Sequence, residues 1–233
     1  MSLAISWLAC PADYAPTWEA MRAYTAARDA LTPDQIWLCE HAPVYTLGLA
    51  ASLDHVLAPG SVPVVHTDRG GQVTYHGPGQ VVAYCMIDLR RAGLYVKDYV
   101  HLLEAAAIDV LADLGLTDAC RRPGAPGVYM PTPEGGLAKI AALGVKIRHG
   151  RTYHGLALNV AMDLQAYAGI NPCGLTDVRS TDIARCLSAL PLRHASQSPP
   201  DLRTVGDVLA AAIAQRIAAW PAPLSFSASE THV

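Results

Sequence analysis

Cys173 stands in the run Ile170-Asn171-Pro172-Cys173-Gly174-Leu175. Pro172 fixes the backbone before the thiol and Gly174 frees it afterwards, so a sharp turn is expected there rather than a strand interior. A turn can present a thiol to a cleft. A nucleophilic thiol must be partly thiolate near neutral pH, and an ordinary cysteine, with a pKa of about 8.5, is not. It needs a cation or a base beside it. Lys139, between Ala138 and the apolar run Ile140-Ala141-Ala142-Leu143, is a candidate, because a partly buried ammonium there is costly without a partner. The plainer readings are a cysteine that packs as a small hydrophobe and a lysine whose head reaches water. The two residues are far apart in the chain, so only the fold can join them.

Two histidines stand in chemically dense surroundings. His76 follows Thr74-Tyr75, and His154 lies in Thr152-Tyr153-His154-Gly155-Leu156-Ala157-Leu158-Asn159. Each is a base, a hydrogen-bond donor or a satisfied structural ring. Lys146, Arg148 and Arg151 form either a solvated face or a docking surface for an acidic partner. The segment Arg69 to Gln80 reads RGGQVTYHGPGQ. Its four glycines and one proline cost chain entropy and bury little apolar surface, which suits backbone that touches a ligand.

The elements that must position these groups follow from periodicity. Strands are expected over residues 3–9, 35–40, 44–49, 62–66 and 81–89, then near 127–130, 139–142, 145–148 and 156–160. Helices are expected over 17–31 with Thr17 as N-cap, over 96–114 ending at Gly115, and over 204–220. Residues 69–80 read as a loop between two strands. That is not the strand-to-helix setting of a dinucleotide fingerprint. A proline-rich connection spans 189–201. The mixture predicts an α/β (α+β) fold with a mixed sheet, flanking helices and one main core, as a single domain over 1–222 with a loose tail at 223–233.

Composition narrows the function classes. The 233 residues are 52% apolar and 16% charged, which describes a well-buried globule. The net charge of −3 gives no broad nucleic-acid footprint. No apolar run is long enough to span a bilayer, and the first residues lack the positive region of a signal peptide. The six cysteines, Cys10, Cys39, Cys85, Cys120, Cys173 and Cys186, form no CxxC pairs. Free thiols in a reducing cytoplasm are therefore expected, with no metal site and no membrane. P-loop, HExxH and GxSxG motifs are absent.

RGGQVTYHGPGQ, LAKIAALGVKI, TYHGLALNV and INPCGL occur in that order. Together they closely resemble the octanoyltransferases of lipoate biosynthesis, over roughly residues 35–187. The resemblance implies the fold of the catalytic domain of biotin and lipoate protein ligases. It also implies transfer of an octanoyl group from octanoyl-acyl carrier protein to a specific lysine of lipoyl domains, through a cysteine thioester. Such domains belong to 2-oxoacid dehydrogenases and the glycine cleavage H protein. By position, Cys173 matches the acyl-accepting cysteine and Lys139 the lysine that lowers its pKa, with Lys146 a rival for the latter. Arg69, Gly70, Gly71, Gln72, Val73, Thr74, Tyr75 and His76 match the first substrate-binding segment. Ala142, Leu143 and Gly144 match the second, and Gly155, Leu156 and Ala157 the third. His154 and Asn159 are supporting candidates.

The implied reaction needs no cofactor, because one thioester is exchanged for another and an amide then forms downhill. Backbone N–H groups near His154-Gly155 or Gly70-Gly71 are candidate oxyanion donors. Val73, Tyr75, Leu143, Leu156 and Leu158 are candidates to line an acyl slot. Two rivals share these residues: an ATP-using lipoate or biotin ligase, which would not need Cys173, and a non-catalytic protein that binds acyl carrier protein or lipoyl domains.

Overall fold

The computed structural model describes residues 3–171, 179–190 and 200–221. Cys173, most of the proline-rich connection and the tail at 223–233 lie outside the described residues. In chain order the elements are β1 (Leu3–Trp7), α1 (Tyr14–Ala27), β2 (Asp34–Cys39), β3 (Val44–Leu47), β4 (Val64–His66), β5 (Val73–His76) and β6 (Gln80–Met86). Then follow α2 (Leu89–Ala92), α3 (Val96–Asp113), β7 (Gly127–Pro131), β8 (Leu137–Arg148), β9 (Arg151–Asn159), β10 (Arg179–Ser180), α4 (Ile183–Ser188) and α5 (Leu202–Ala218).

Among the described residues the main sheet has seven strands, ordered β1-β2-β6-β9-β8-β10, with β7 also paired to β8. Along β2, β6, β9 and β8 each strand is antiparallel to the next, while β1 and β10 run parallel to their neighbours. A second sheet, β4-β3-β5, stands apart. The fold is therefore α/β with a mixed sheet and flanking helices.

β6 explains the layering. Every residue of QVVAYCM is buried. Val81, Ala83 and Cys85 face the core shared with α3 and α5, while Val82, Tyr84 and Met86 face the core under α1. A strand covered on both faces loses the apolar–polar alternation and reads as a continuous apolar run. The small sheet builds a third cluster around Tyr45, Val73, Tyr75 and Ile170. Two smaller clusters thus stand beside the one main core that was expected.

Several local expectations change. The stretch 69–80 is not one loop, because Val73–His76 pairs with Val44–Leu47 as β5. Residues 139–142 and 145–148 belong to one twelve-residue strand. Helix α1 starts at Tyr14, and Thr17 lies one turn inside it, its hydroxyl donating to Asp13 O at 2.7 Å. The helix stops before Arg28, whose side chain is fully buried against Asp34 at 2.5 Å. Leu31, assigned from spacing to the same helix, is 90% exposed.

Asp34 is a hub. It accepts from Arg28 Nη2, from Arg91 Nη2 at 2.7 Å and from Asp88 N at 2.8 Å. Asp88 in turn accepts from Arg151 Nε at 3.3 Å. The set joins the end of α1 to β2, α2 and β9. Arg151 is thereby turned inward and leaves the solvated face predicted for it. Removing one member of a buried ion pair strands the other charge. Asp34→Ala is expected to lower unfolding stability by about 3–5 kcal/mol in urea titration. A loss under about 1 kcal/mol would show that the guanidinium finds water instead.

Candidate active site

One cavity of about 530 Å³ is bordered by β6, β9 and β8, by the segment Arg69 to His76, and by Tyr14 of α1, Val100 of α3 and the stretch Gly124-Ala125-Pro126. Its floor follows from register. Val82 pairs with Ala157 and Ala157 with Ala142; Tyr84 pairs with Gly155 and Gly155 with Gly144. Same-face residues recur every second position. The floor beside β6 is thus made of two alanines and two glycines, and it has room above it.

Lys139 joins this face through a bulge. Opposite β7, Val128 pairs with Ala141 and Tyr129 with Lys139, so Ile140 is the extra residue. Ile140 and Ala141 both enter the core on the other face. Alternation is reset, and Lys139 and Ala142 both border the cavity. Lys139 Nζ lies 5.2 Å from the Tyr129 ring centroid and 3.5 Å from Pro126 O. Gly127 makes room for it: a Cβ there would meet Lys139 Cε at 3.2 Å and Ala141 O at 2.7 Å. Gly127 N donates to the buried Glu104 carboxylate at 2.9 Å, which ties this wall to α3. Lys146, the rival lysine, does not border the cavity; its Cα partner is Tyr153.

The roof is the glycine-rich segment. Gly70 N donates to Val145 O at 3.0 Å, so this candidate oxyanion donor is already committed. Arg69 is buried and donates to Thr46 O at 2.7 Å, Thr46 Oγ1 and Gly70 O. Gly70, Gly71, Gln72, Val73, Thr74 and His76 border the cavity with Arg69. Tyr75 does not: it faces the third core, 5.4 Å from the Tyr45 ring and 5.8 Å from that of Tyr167. Leu143 and Leu156 border the cavity although their side chains pack in the main core, and Leu158 lies wholly in that core. Asn159 also lies off the cavity. It accepts from Gln80 Nε2 at 2.9 Å and donates to Thr181 O at 2.8 Å. Thr181 N in turn donates to Lys139 O at 2.9 Å. The chain therefore re-enters the described structure with Ser180 as the register partner of Lys139.

The remaining wall carries rings. Tyr14, His76, Tyr84 and His154 all border the cavity. His154 has φ +62°, rare for a residue with a Cβ. Thr152 and Leu156 face the α3 side, and strict alternation would send His154 there too. The left-handed backbone instead places it beside Tyr153, at a ring separation of 5.1 Å, and 6.3 Å from Tyr84. Its Nε2 lies 3.0 Å from Asp68 Oδ1. A carboxylate only accepts, so Nε2 carries the proton and Nδ1 is bare; Nδ1 is buried with no hydrogen-bond partner. Asp68 also accepts from Trp18 Nε1 at 2.8 Å and from the Tyr153 hydroxyl.

Burial disfavours the Asp68 carboxylate, but the hydrogen bonds from His154, Tyr153 and Trp18 outweigh it and hold its pKa below the usual range. Burial pushes His154 below the ordinary histidine value despite Asp68. Burial, with His41 nearby, takes His76 down to about 3. His41 is likewise lowered by burial. It donates from Nδ1 to Ala12 O at 2.8 Å and accepts the Tyr84 hydroxyl at 2.7 Å. Burial raises Tyr14 to about 12.

The sequence reading missed Tyr14, Val82, Tyr84, Val100, Val145, the stretch Gly124-Ala125-Pro126 and Asp68. Asp68 directly precedes Arg69, so a window one residue wider would have included it. A hydroxyl-bearing ring inside the apolar run VVAYCMIDL was the available sign for Tyr84. Among the described residues no group of three His, Cys, Asp or Glu is placed to hold a metal ion.

The fold recurs in solved structures. Protein Ta0514 of T. acidophilum, solved with bound lipoic acid, superposes with a TM-score of 0.68 at 15% identity, over 94% of this chain and 86% of that one. The biotin protein ligase of Aquifex aeolicus gives 0.53 at 10% identity, over 94% and 70%. Residues 13–214 match the family described as lipoyl protein ligase A/B catalytic domain. A Bordetella parapertussis octanoyltransferase is 65% identical over 182 residues, covering 78% of this chain and 83% of that protein. The chain belongs to the octanoyltransferase family within this catalytic-domain class.

Three buried neutral histidines predict an acid-sensitive fold. Above about pH 6.5 folded and unfolded imidazoles are both neutral and contribute nothing. Below it the unfolded chain takes up protons that the folded chain refuses, so stability falls. For His76 the loss continues until about pH 3. Urea unfolding should therefore lose about 1 kcal/mol between pH 6.5 and 5.5 for each histidine fully held neutral. The slope should be shallower in His76→Gln; equal slopes would contradict the assignment.

Proposed function

We propose that this acyltransferase moves an octanoyl group from the phosphopantetheine of octanoyl-acyl carrier protein to a specific lysine of lipoyl domains, through a thioester on Cys173. The acceptors would be the lipoyl domains of 2-oxoacid dehydrogenases and the glycine cleavage H protein. The observation that carries the reading is the Lys139 ammonium bordering a cavity whose floor is Ala142, Gly144, Gly155 and Ala157. Family membership and the pairing of Ser180 with Lys139 support it.

The chemistry balances without a nucleotide. The Cys173 thiolate attacks the carrier thioester, a new C–S bond forms and the pantetheine sulfur leaves. The lysine amine of the lipoyl domain then attacks. A C–N bond forms, the Cys173 sulfur leaves as the thiolate, and the amine's proton passes to Lys139, which gave its own to the departing pantetheine sulfur in the first transfer. As an ammonium Lys139 stabilises the thiolate, and as an amine it accepts the incoming proton. Each methylene taken from water into the cavity contributes about 0.8 kcal/mol.

Intact-mass measurement after mixing with octanoyl-acyl carrier protein should show one added octanoyl group, lost in Cys173→Ala. Unmodified protein in a stable complex would favour a binding protein. Full ATP-dependent activity in Cys173→Ser would favour a ligase. Lys139→Ala should slow alkylation of Cys173 by iodoacetamide at neutral pH by up to about tenfold, as expected if the thiol pKa rises by about one unit. An unchanged alkylation pH profile would reject the pairing.

A further inference from the structure

Lys139 and His154 mark opposite ends of the cavity floor. Lys139 lies five positions before Gly144, and Val145, the next residue, is the register partner of His154. At the rise of a strand, Lys139 and Gly144 are roughly 15 Å apart, slightly less for the bulge. An extended eight-carbon acyl chain is roughly 9 Å from first to last carbon, because each zigzag bond of about 1.5 Å advances the chain by about 1.3 Å. The remaining length is taken up by the Lys139 side chain and the thioester linkage, so a chain laid over Ala142, Ala157, Gly144 and Gly155 ends against the two rings at the far end, Tyr84 and His154.

Those rings cannot yield as aliphatic side chains do. Tyr84 is fixed through its hydroxyl to His41 Nε2 at 2.7 Å, and His41 is fixed in turn to Ala12 O. His154 is fixed to Asp68, which Trp18 and Tyr153 also hold. All four of Tyr84, His154, His41 and Tyr153 are buried. His154 reaches this position only through a left-handed backbone, which costs a residue bearing a Cβ of order 1–3 kcal/mol. Ordinary alternation would have left the end of the floor open.

We propose that His154, locked by Asp68 and backed by Tyr84, is the end wall that sets the length of acyl chain the enzyme accepts. The proposal rests on the acyl-transfer reading above and adds which residues enforce selection. His154 acts as a specificity-determining residue at the distal end and not as a participant in bond making at Lys139.

The variant that tests it is His154→Gly, since glycine takes φ +62° without strain and removes the ring. Hexanoyl-, octanoyl-, decanoyl- and dodecanoyl-acyl carrier proteins compete for the parent and for the variant, and intact mass reads which acyl group is loaded. The expected result is a shift of the decanoyl-to-octanoyl ratio toward the longer chain by roughly tenfold or more, from two further buried methylenes. Ala142→Val, which raises the floor, is expected to move the preference toward hexanoyl. A parent that loads octanoyl, with both variants folded and the ratios unchanged, overturns the end wall alone. A parent that loads no acyl group overturns the acyl-transfer reading, and the wall falls with it. Should His154→Gly fail to fold, an unchanged preference in Ala142→Val still overturns the proposal.

Discussion

The cavity exists because one stretch of backbone lies directly across another. Gly70 N–H donates to Val145 O, and at that crossing the strand beneath carries Gly144. A Cβ on Gly144 would stand 2.8 Å from Gly70 O, and one on Gly48 would collide with Gly71 O from the other side. With side chains at these points the glycine-rich segment could not lie on β8. The roof would lift, and Arg69 would lose Thr46 and Gly70 as acceptors. A glycine interior to a strand weakens it by conformational entropy and lost packing. Here that weakness is offset by a backbone hydrogen bond and a buried guanidinium that tie the small sheet to the large one.

Two departures from strand alternation then decide what the cavity can hold. In β8 the extra residue Ile140 lets Lys139 share a face with Ala142. In β9 the left-handed His154 places a ring on the cavity side of the sheet. One departure delivers a cation at the near end and the other delivers a wall at the far end. Between them the floor is two alanines and two glycines. Each departure costs free energy locally, and such costs concentrate where a ligand must be met.

The ring wall is held neutral by burial. His76 and His154 are lowered, so neither carries positive charge near the cavity at neutral pH. Among the described residues the charged groups that border it are then Lys139 and Arg69, and Arg69 is bound to Thr46 and Gly70. Asp68 stays ionised because three donors converge on it. A cation beside a neutral, largely apolar space suits a reacting thiol and an alkyl chain at once.

Much of this was legible in the residues themselves. Four ordered motifs specified the family, the fold class and the segments that border the cavity, because close backbone approach demands glycine whatever the fold around it. Helix α3 was placed to within a residue by its periodicity and Gly115. What periodicity could not supply was the side of the sheet each residue faces. The bulge at Ile140 and the left-handed His154 are set by pairing partners distant in the chain, so Tyr75 and Leu158 were assigned to a slot they do not border, and Asn159, a supporting candidate, lies off it too. Tyr84 and Asp68 went unnoticed for the same reason: one looks like core and the other like a loop charge until β6, β9 and α1 are brought together. Sequence determined which residues could do the chemistry; tertiary structure alone decided which way they point, since strand register is a property of the partner as much as of the strand.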